Sequence, residues 1–318
     1  MLELGYGLSS EEHMPNDVIR YIRLAEKAGF AFACLADHYH PWMERQGQSP
    51  FIWSIIGGIA QVTQRLRLVI SVTYPMARMH PASIAQAVAT VAAMMPGRCC
   101  LGLETGEHLR ARIWGRHWRV SGMQWEMLQE AVQVIRLLWK GGAQSHWGRH
   151  YTIENVRIHT PPRELPPILI AAVEGQGAQV AGRVGDGLIG TAPETQLIEA
   201  FELAGGLGKP RYGKVSVCWA RNEREARRIA YNRWRTAGLN ASMLDATLPA
   251  PVIRAMTHVS ETDVAQALLC SADPARHIAA LREFAAAGYD HVYVHHVGPD
   301  QEGFLRFYRR EVLPRFPS

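Results

Sequence analysis

The chain is 318 residues long, 47% apolar and 20% charged, with a net charge of +5. That size and apolar share can bury a core without covalent or metal staples, and five cysteines lacking C-x-x-C spacing predict reduced thiols in a cytoplasmic protein. No apolar run nears the roughly eighteen residues of a membrane span, no early apolar segment reads as a secretory signal, and the dispersed basic residues lack the continuous face that nucleic acid needs.

Strand-like and helical runs alternate along the chain. Leu2–Gly7 reads as a strand, and Asn16–Ala28 carries helical apolar spacing through Val18, Ile19, Ile22 and Ala25. A strand Phe32–Ala36 precedes a helix Phe51–Thr63, and Leu66–Val72 is a β-branched run of the kind buried on both faces. Helix Pro81–Met94 is stopped by Pro96-Gly97; strand Arg98–Leu103 and the long helix Gly122–Leu138 follow. Residues 141–167 alternate polar with apolar like an excursion hairpin. Strand Ile168–Val173, helix Gly177–Val184, strand Gly187–Gly190 and helix Glu194–Ala204 resume the rhythm, then strand Lys214–Trp219 and helix Glu223–Arg235. Residues 236–262 have no clear period and read as loop or short helices; helix Pro274–Ala287, strand His291–Val294 and helix Phe304–Leu313 close the chain.

Eight predicted strands alternating with helices, with no linker, predict one α/β domain, a (β/α)8 TIM barrel with insertions. A doubly wound sheet is the alternative. Its glycine fingerprint is only approached at Gly175-Gln176-Gly177, where the third glycine position holds Val180.

In a barrel the residues following each strand converge at one end. After strand Phe32–Ala36 the polarity inverts within LADHYHPWMERQGQSPF (Leu35–Phe51) into Asp37, His38, His40 and Trp42. Other strand ends bring Ser9, Ser10, Glu11 and Glu12; Ser71, Val72 and Thr73; Glu104, Thr105 and Glu107; Thr191; and His295-His296. Carboxylates, imidazoles and hydroxyls together suit proton transfer coupled to another step. Each has a structural reading: Asp37 as a helix cap, Trp42 as packing, Glu107 as a salt bridge to Arg110. Two chemistries compete. His38-Tyr39-His40 has an H-x-H form that His295 or His296 completes as a zinc site of a metal-dependent hydrolase. In the other, His38 is an acid or base beside a bound redox ring. The one dense basic patch, Arg110 to Arg119 (RARIWGRHWR), suits a small anionic ligand or solvent.

LGYGLSSEEHMP, AEKAGFAFACLADHYHPW, GQSPF, the SV of LVISV, HPASIAQA, PGRCCLGLETGE, AGRVGDGLI and GYDHVYVHHVGPDQEGFLRFY together resemble the luciferase-like barrel enzymes, in particular the branch that uses the deazaflavin coenzyme F420. The resemblance implies that Asp37 contacts the deazaflavin and that His38 lies over its reactive carbon as catalytic base. Trp42 would stabilise the charged intermediate, Glu107 would be the partner acid or base, and Glu11 would join the hydrogen bonds. Ser71-Val72 would hold a non-proline cis peptide supporting the ring, with Thr73, Glu107, Arg110, Ala171, Ala172, Gly175 and Gly177 completing the coenzyme site. Trp42, Thr191 and His296 would face the substrate. The chain departs from the branch at Glu104 and Arg110, at Val173-Glu174 where a Gly-Gly receives the coenzyme phosphate, and at Glu194 and Ala267, where sugar-phosphate-oxidising members place cations. The expectation is an F420-dependent oxidoreductase acting on a small-molecule or modified-peptide substrate other than a sugar phosphate, by secondary alcohol oxidation or activated alkene or imine reduction. It would be a homodimer. An FMN-dependent monooxygenase on the same scaffold, the metal hydrolase and a catalytically silent barrel are the alternatives.

Overall fold

The computed structural model describes residues 2–75, 78–106, 121–239 and 249–317. Its strands are β1 (Glu3–Leu8), β2 (Phe32–Leu35), β3 (Arg67–Thr73), β4 (Cys99–Leu103), β5 (Gln144–Trp147), β6 (Thr152–Val156), β7 (Ile168–Ala171), β8 (Gly187–Gly190), β9 (Arg211–Cys218), β10 (Leu269–Cys270) and β11 (His291–His296). The helices are α1 (Pro15–Ala28), α2 (Ile52–Val62), α3 (Pro81–Met94), α4 (Ser121–Trp139), α5 (Gly175–Val184), α6 (Thr195–Phe201), α7 (Glu223–Arg233), α8 (Pro249–His258), α9 (Glu261–Ala267), α10 (Pro274–Ala286) and α11 (Gln301–Phe307).

Strands β1, β2, β3, β4, β7, β8, β9 and β11 pair in parallel around a closed ring, with β11 returning to β1. This is the expected eight-stranded α/β barrel. β5 and β6 form the expected hairpin outside it. Two-residue alternation divides each strand. Phe32, Cys34, Val69, Cys100 and Tyr293 fill the barrel, while Tyr6, Leu35, Ile70, Leu101 and Val294 pack outward on the helices. Among the described residues no helix is long and apolar enough to cross a membrane.

Three strand expectations need correction. β9 starts at Arg211 rather than Lys214, because its first residues pair with β8 and β11 although Arg-Tyr-Gly carries little apolar signal. β11 runs through His295 and His296 instead of ending before them, since the ladder to β9 continues to His296↔Val217. The short β10, unseen in the sequence, pairs with β9 through Leu269↔Val217. Within 236–262, the described part holds the end of a 3-10 turn (Arg235–Gly238), α8 and the first two residues of α9.

The Ser71–Val72 peptide is cis, and the β3–β4 register shifts between Ile70 and Thr73. The shift brings β3 against Gly102, where a Cβ would lie 2.3 Å from the Ile70 carbonyl oxygen and 3.1 Å from Val72 Cγ1. Backbone cannot yield as a flexible side chain does. Gly102→Ala is therefore expected to destabilise the protein by about 1–3 kcal/mol, the usual range for overpacking. Chemical denaturation measures it, and an unchanged midpoint would contradict the close approach of β3 and β4.

Candidate active site

The loops after β1 and β2 interlock at the carboxyl end of the barrel. Ser10 Oγ donates to the Ala36 carbonyl at 3.3 Å, Ser49 Oγ to the His38 carbonyl at 2.9 Å, and Gln48 N to the Glu11 carbonyl at 3.0 Å. Between them the Glu11 carboxylate contacts His38 Nδ1, and Ser9 Oγ donates to Glu11 Oε2 at 2.5 Å. Glu11 is 1% exposed. Burial alone would raise its carboxyl, but the charge of His38 and the hydrogen bonds from His38 and Ser9 outweigh it and hold the acid well below its ordinary range. His38 also stacks on Tyr74, ring centroids 6.4 Å apart, and meets Trp42 edge-on at 5.9 Å. A carboxylate at Nδ1 fixes the ring so that proton exchange runs through Nε2.

Asp37, which the resemblance places at the coenzyme, is held by partners on three sides. It is wholly buried, as is Thr73, whose Oγ1 donates to Asp37 Oδ2 at 2.8 Å. Trp53 Nε1 donates to the same oxygen at 3.2 Å, and Arg78 Nε lies 2.7 Å from Oδ1. That last contact is an ion pair without hydrogen-bond alignment, for both atoms lack a well-directed partner. Asp37 and Thr73 thus tie the β2 and β3 loops together, both with buried side chains. Trp53 and Arg78 were missed because nothing in their local sequence marks them as partners of Asp37.

His296 needs correction. It faces out of the barrel, stacked on Phe304 at 4.5 Å, with Trp219 N donating to its Nδ1 at 3.3 Å. A side chain between strand and helix layers cannot line the mouth. His295, one residue earlier, points inward. His40 is exposed and lies edge-on to Tyr39 at 4.9 Å, and among the described residues no three His, Cys, Asp or Glu are placed to hold a metal. Glu107 and Arg110 lie outside the described residues.

The opposite wall comes from the segment after α7. Arg233 Nε donates to Glu12 Oε1 at 2.9 Å and Trp234 Nε1 to Glu12 Oε2 at 2.8 Å. Trp234 in turn meets His295 edge-on at 4.8 Å. Thr191 is exposed and, with Lys214, Ser216, Gln266, Ala267 and Arg276, lines a cavity of about 580 Å³. The cavity sits where β8 stops at Gly190 while β9 continues to Cys218. Lys214 and Ser216 could have been found from alternation along β9. The bond from Glu12 to Arg233 spans 221 residues and has no local signal.

Glu12 generates a pH signature. Burial raises its carboxyl to about 7, against the lowering influence of Trp234 and Arg233. A folded-state pKa above the unfolded one, near 4.3, means that the native state binds the extra proton between those values. The contribution of Glu12 is therefore fully present below the unfolded pKa and is lost as pH rises through 7. Relative to the wild type, Glu12→Gln should gain on the order of 2–3 kcal/mol in unfolding free energy between pH 5 and pH 8. A difference that stays flat across that range would mean that Arg233 keeps Glu12 ionised throughout.

The luciferase-like monooxygenase family matches residues 3–291 of this chain. The F420-dependent glucose-6-phosphate dehydrogenase of Microbacterium testaceum is 31% identical across 99% of this chain and 97% of its own length. The F420-dependent hydroxymycolic acid dehydrogenase of Mycobacterium tuberculosis is 31% identical, covering 98% of this chain and 87% of that protein. Among solved structures, an F420-dependent secondary alcohol dehydrogenase in complex with an F420–acetone adduct superposes with a TM-score of 0.92 over 100% of this chain and 99% of its own, at 24% identity. With the match running from β1 into β11 around the closed barrel, the protein belongs to the luciferase-like monooxygenase family.

Proposed function

We propose that this protein is an F420-dependent oxidoreductase that oxidises a secondary alcohol other than a sugar phosphate. The observation that carries the chemistry is the contact of His38 with the buried Glu11 carboxylate at the barrel mouth.

The residues present fit the coenzyme. Ser71, with its Oγ 3.1 Å from the Tyr293 hydroxyl, and the buried Val72 form the floor on which a flat ring would rest. At the rim, half-buried Ala171 and buried Ala172 lead to exposed Val173 and Glu174 and then into α5. A Cβ at Gly175 would meet nothing, so the first turn of α5 is open to a phosphate, which its N–H groups favour. Gly177 is needed for packing instead, since a Cβ there would lie 2.8 Å from Ala172 Cβ and from Trp125. The Glu174 side chain makes no capping bond, and its charge directs a phosphate toward Gly175.

When bound, F420 supplies the acceptor for the hydride leaving the carbinol carbon. His38 Nε2 takes the hydroxyl proton, and the ionised Glu11 at Nδ1 stabilises the imidazolium that results. Trp42 packs edge-on against that ring, and Glu107 is assigned as the partner acid. Five buried free thiols agree with a cytoplasmic enzyme, and we take it to be a homodimer.

His38→Ala should lower turnover by on the order of 10²–10⁴, while F420 affinity, read by fluorescence titration, changes far less and stays above that for FMN. Turnover within a few-fold of the wild type would remove His38 from the mechanism.

For the substrate, the 580 Å³ cavity carries Arg276, but its Nη1 is 2.8 Å from Glu223, and Glu283 lines the same cavity. A phosphate dianion there meets carboxylates and the methyl of Ala267. Each missing charge-assisted hydrogen bond costs roughly 1.5–3 kcal/mol. Millimolar glucose 6-phosphate with oxidised F420 should leave the deazaflavin absorbance nearly unchanged. Rapid bleaching would show that Lys214 and Arg276 serve as a phosphate site.

A further inference from the structure

We infer that His295 is a substrate-binding residue whose imidazole hydrogen-bonds an uncharged hydroxyl that the substrate carries next to its reacting carbon. This rests on the secondary-alcohol reading above. Along β11, Tyr293 and His295 both face into the barrel. The Tyr293 hydroxyl lies 3.1 Å from Ser71 Oγ and belongs to the floor, so His295 stands one tier higher, in the wall of the mouth. Its register neighbours are Gly7 and Ser216. A Cβ at Gly7 would come within 2.9 Å of Tyr293 Cδ2 and 3.2 Å of His295 Cβ, so only a glycine there leaves room for these two side chains beside β1.

Trp234 fixes the ring edge-on at 4.8 Å and is itself held by Glu12. Yet neither ring nitrogen of His295 has a hydrogen-bond partner, although the residue is only 4% exposed. Buried polar atoms are rarely left so. His277 shows the ordinary solution, with Nδ1 against the Tyr308 hydroxyl at 2.9 Å and Nε2 against the Ser271 carbonyl at 3.1 Å. Burial, assisted by the charge of Lys214 and opposed by that of Glu11, holds His295 neutral. A neutral imidazole offers one donor and one acceptor. A hydroxyl can answer either nitrogen, whereas a carboxylate or phosphate can answer only the donor. β1 lies between β11 and β2, with Gly7 opposite both His295 and Cys34, and Glu11, just past the end of β1, touches His38, so the two imidazoles flank the carboxyl end of one strand. The substrate class that fits is a vicinal diol.

The test uses the F420-loaded enzyme with 2,3-butanediol and 2-butanol. The wild type should prefer the diol, and His295→Leu should cut the ratio of the two kcat/KM values by about tenfold, as losing a recognised hydroxyl does. His295→Asn should restore part of it. An unchanged ratio, or equal losses on both alcohols, overturns the inference. A second measurement covers a variant that does not fold: with 15N-histidine-labelled wild type, the diol should shift the His295 ring signals and 2-butanol should not. Should the wild type oxidise neither alcohol, the secondary-alcohol reading falls, and the ring signal alone then decides for His295. A diol-induced shift supports it and an unmoved signal rejects it.

Discussion

The contact between Glu11 and His38 is the constraint to which the barrel mouth answers. A carboxylate this deeply buried is costly unless it is paired and hydrogen-bonded. The loops after β1 and β2 supply the partner: Ser9 and His38 converge on Glu11, while Ser10, Gln48 and Ser49 tie the loop backbones together. Pairing Nδ1 with that acid orients the imidazole, with its ring against Tyr74 and Trp42, and leaves Nε2 as the nitrogen turned away from the acid.

Three acids lie at this end of the barrel, and their surroundings give each a different task. Glu11 is held ionised beside the His38 imidazole. Asp37 turns away into Thr73, Trp53 and Arg78 and holds β2 to β3. Glu12, adjacent to Glu11, reaches the other way to Arg233 and Trp234, where burial pushes its carboxyl toward neutrality. Neighbouring carboxyls with separated proton affinities are a usual mark of a functional site.

The two sides of the mouth also differ in architecture. One side is built on β2, β3 and the start of α5, with close glycine contacts. The other side is built where β8 ends early, β10 joins β9 and the segment after α7 folds over the opening. Here the second side carries Trp234, His295 and a cavity with few uncommitted charges.

Much of this was legible before folding. The alternation of two-residue and helical periods reports which segments can bury a stripe and which a face, so the barrel and nearly all its elements followed from it, and the polarity inversion at Asp37–Trp42 marked one strand end. The sequence also held Glu11 and His38 as candidates. It could not hold direction or partnership. His295 and His296 look equivalent as a dipeptide, and only the strand pleat sends one into the mouth and the other against Phe304. Asp37 finds Arg78 on the next loop, and Glu12 meets Arg233 across 221 residues. Local pattern determines which element forms, because hydrogen-bonding period and apolar spacing are short-range properties. Which side chain faces a cavity, and which charge neutralises it, is decided only when distant strands close into one barrel and burial makes most polar atoms find a partner.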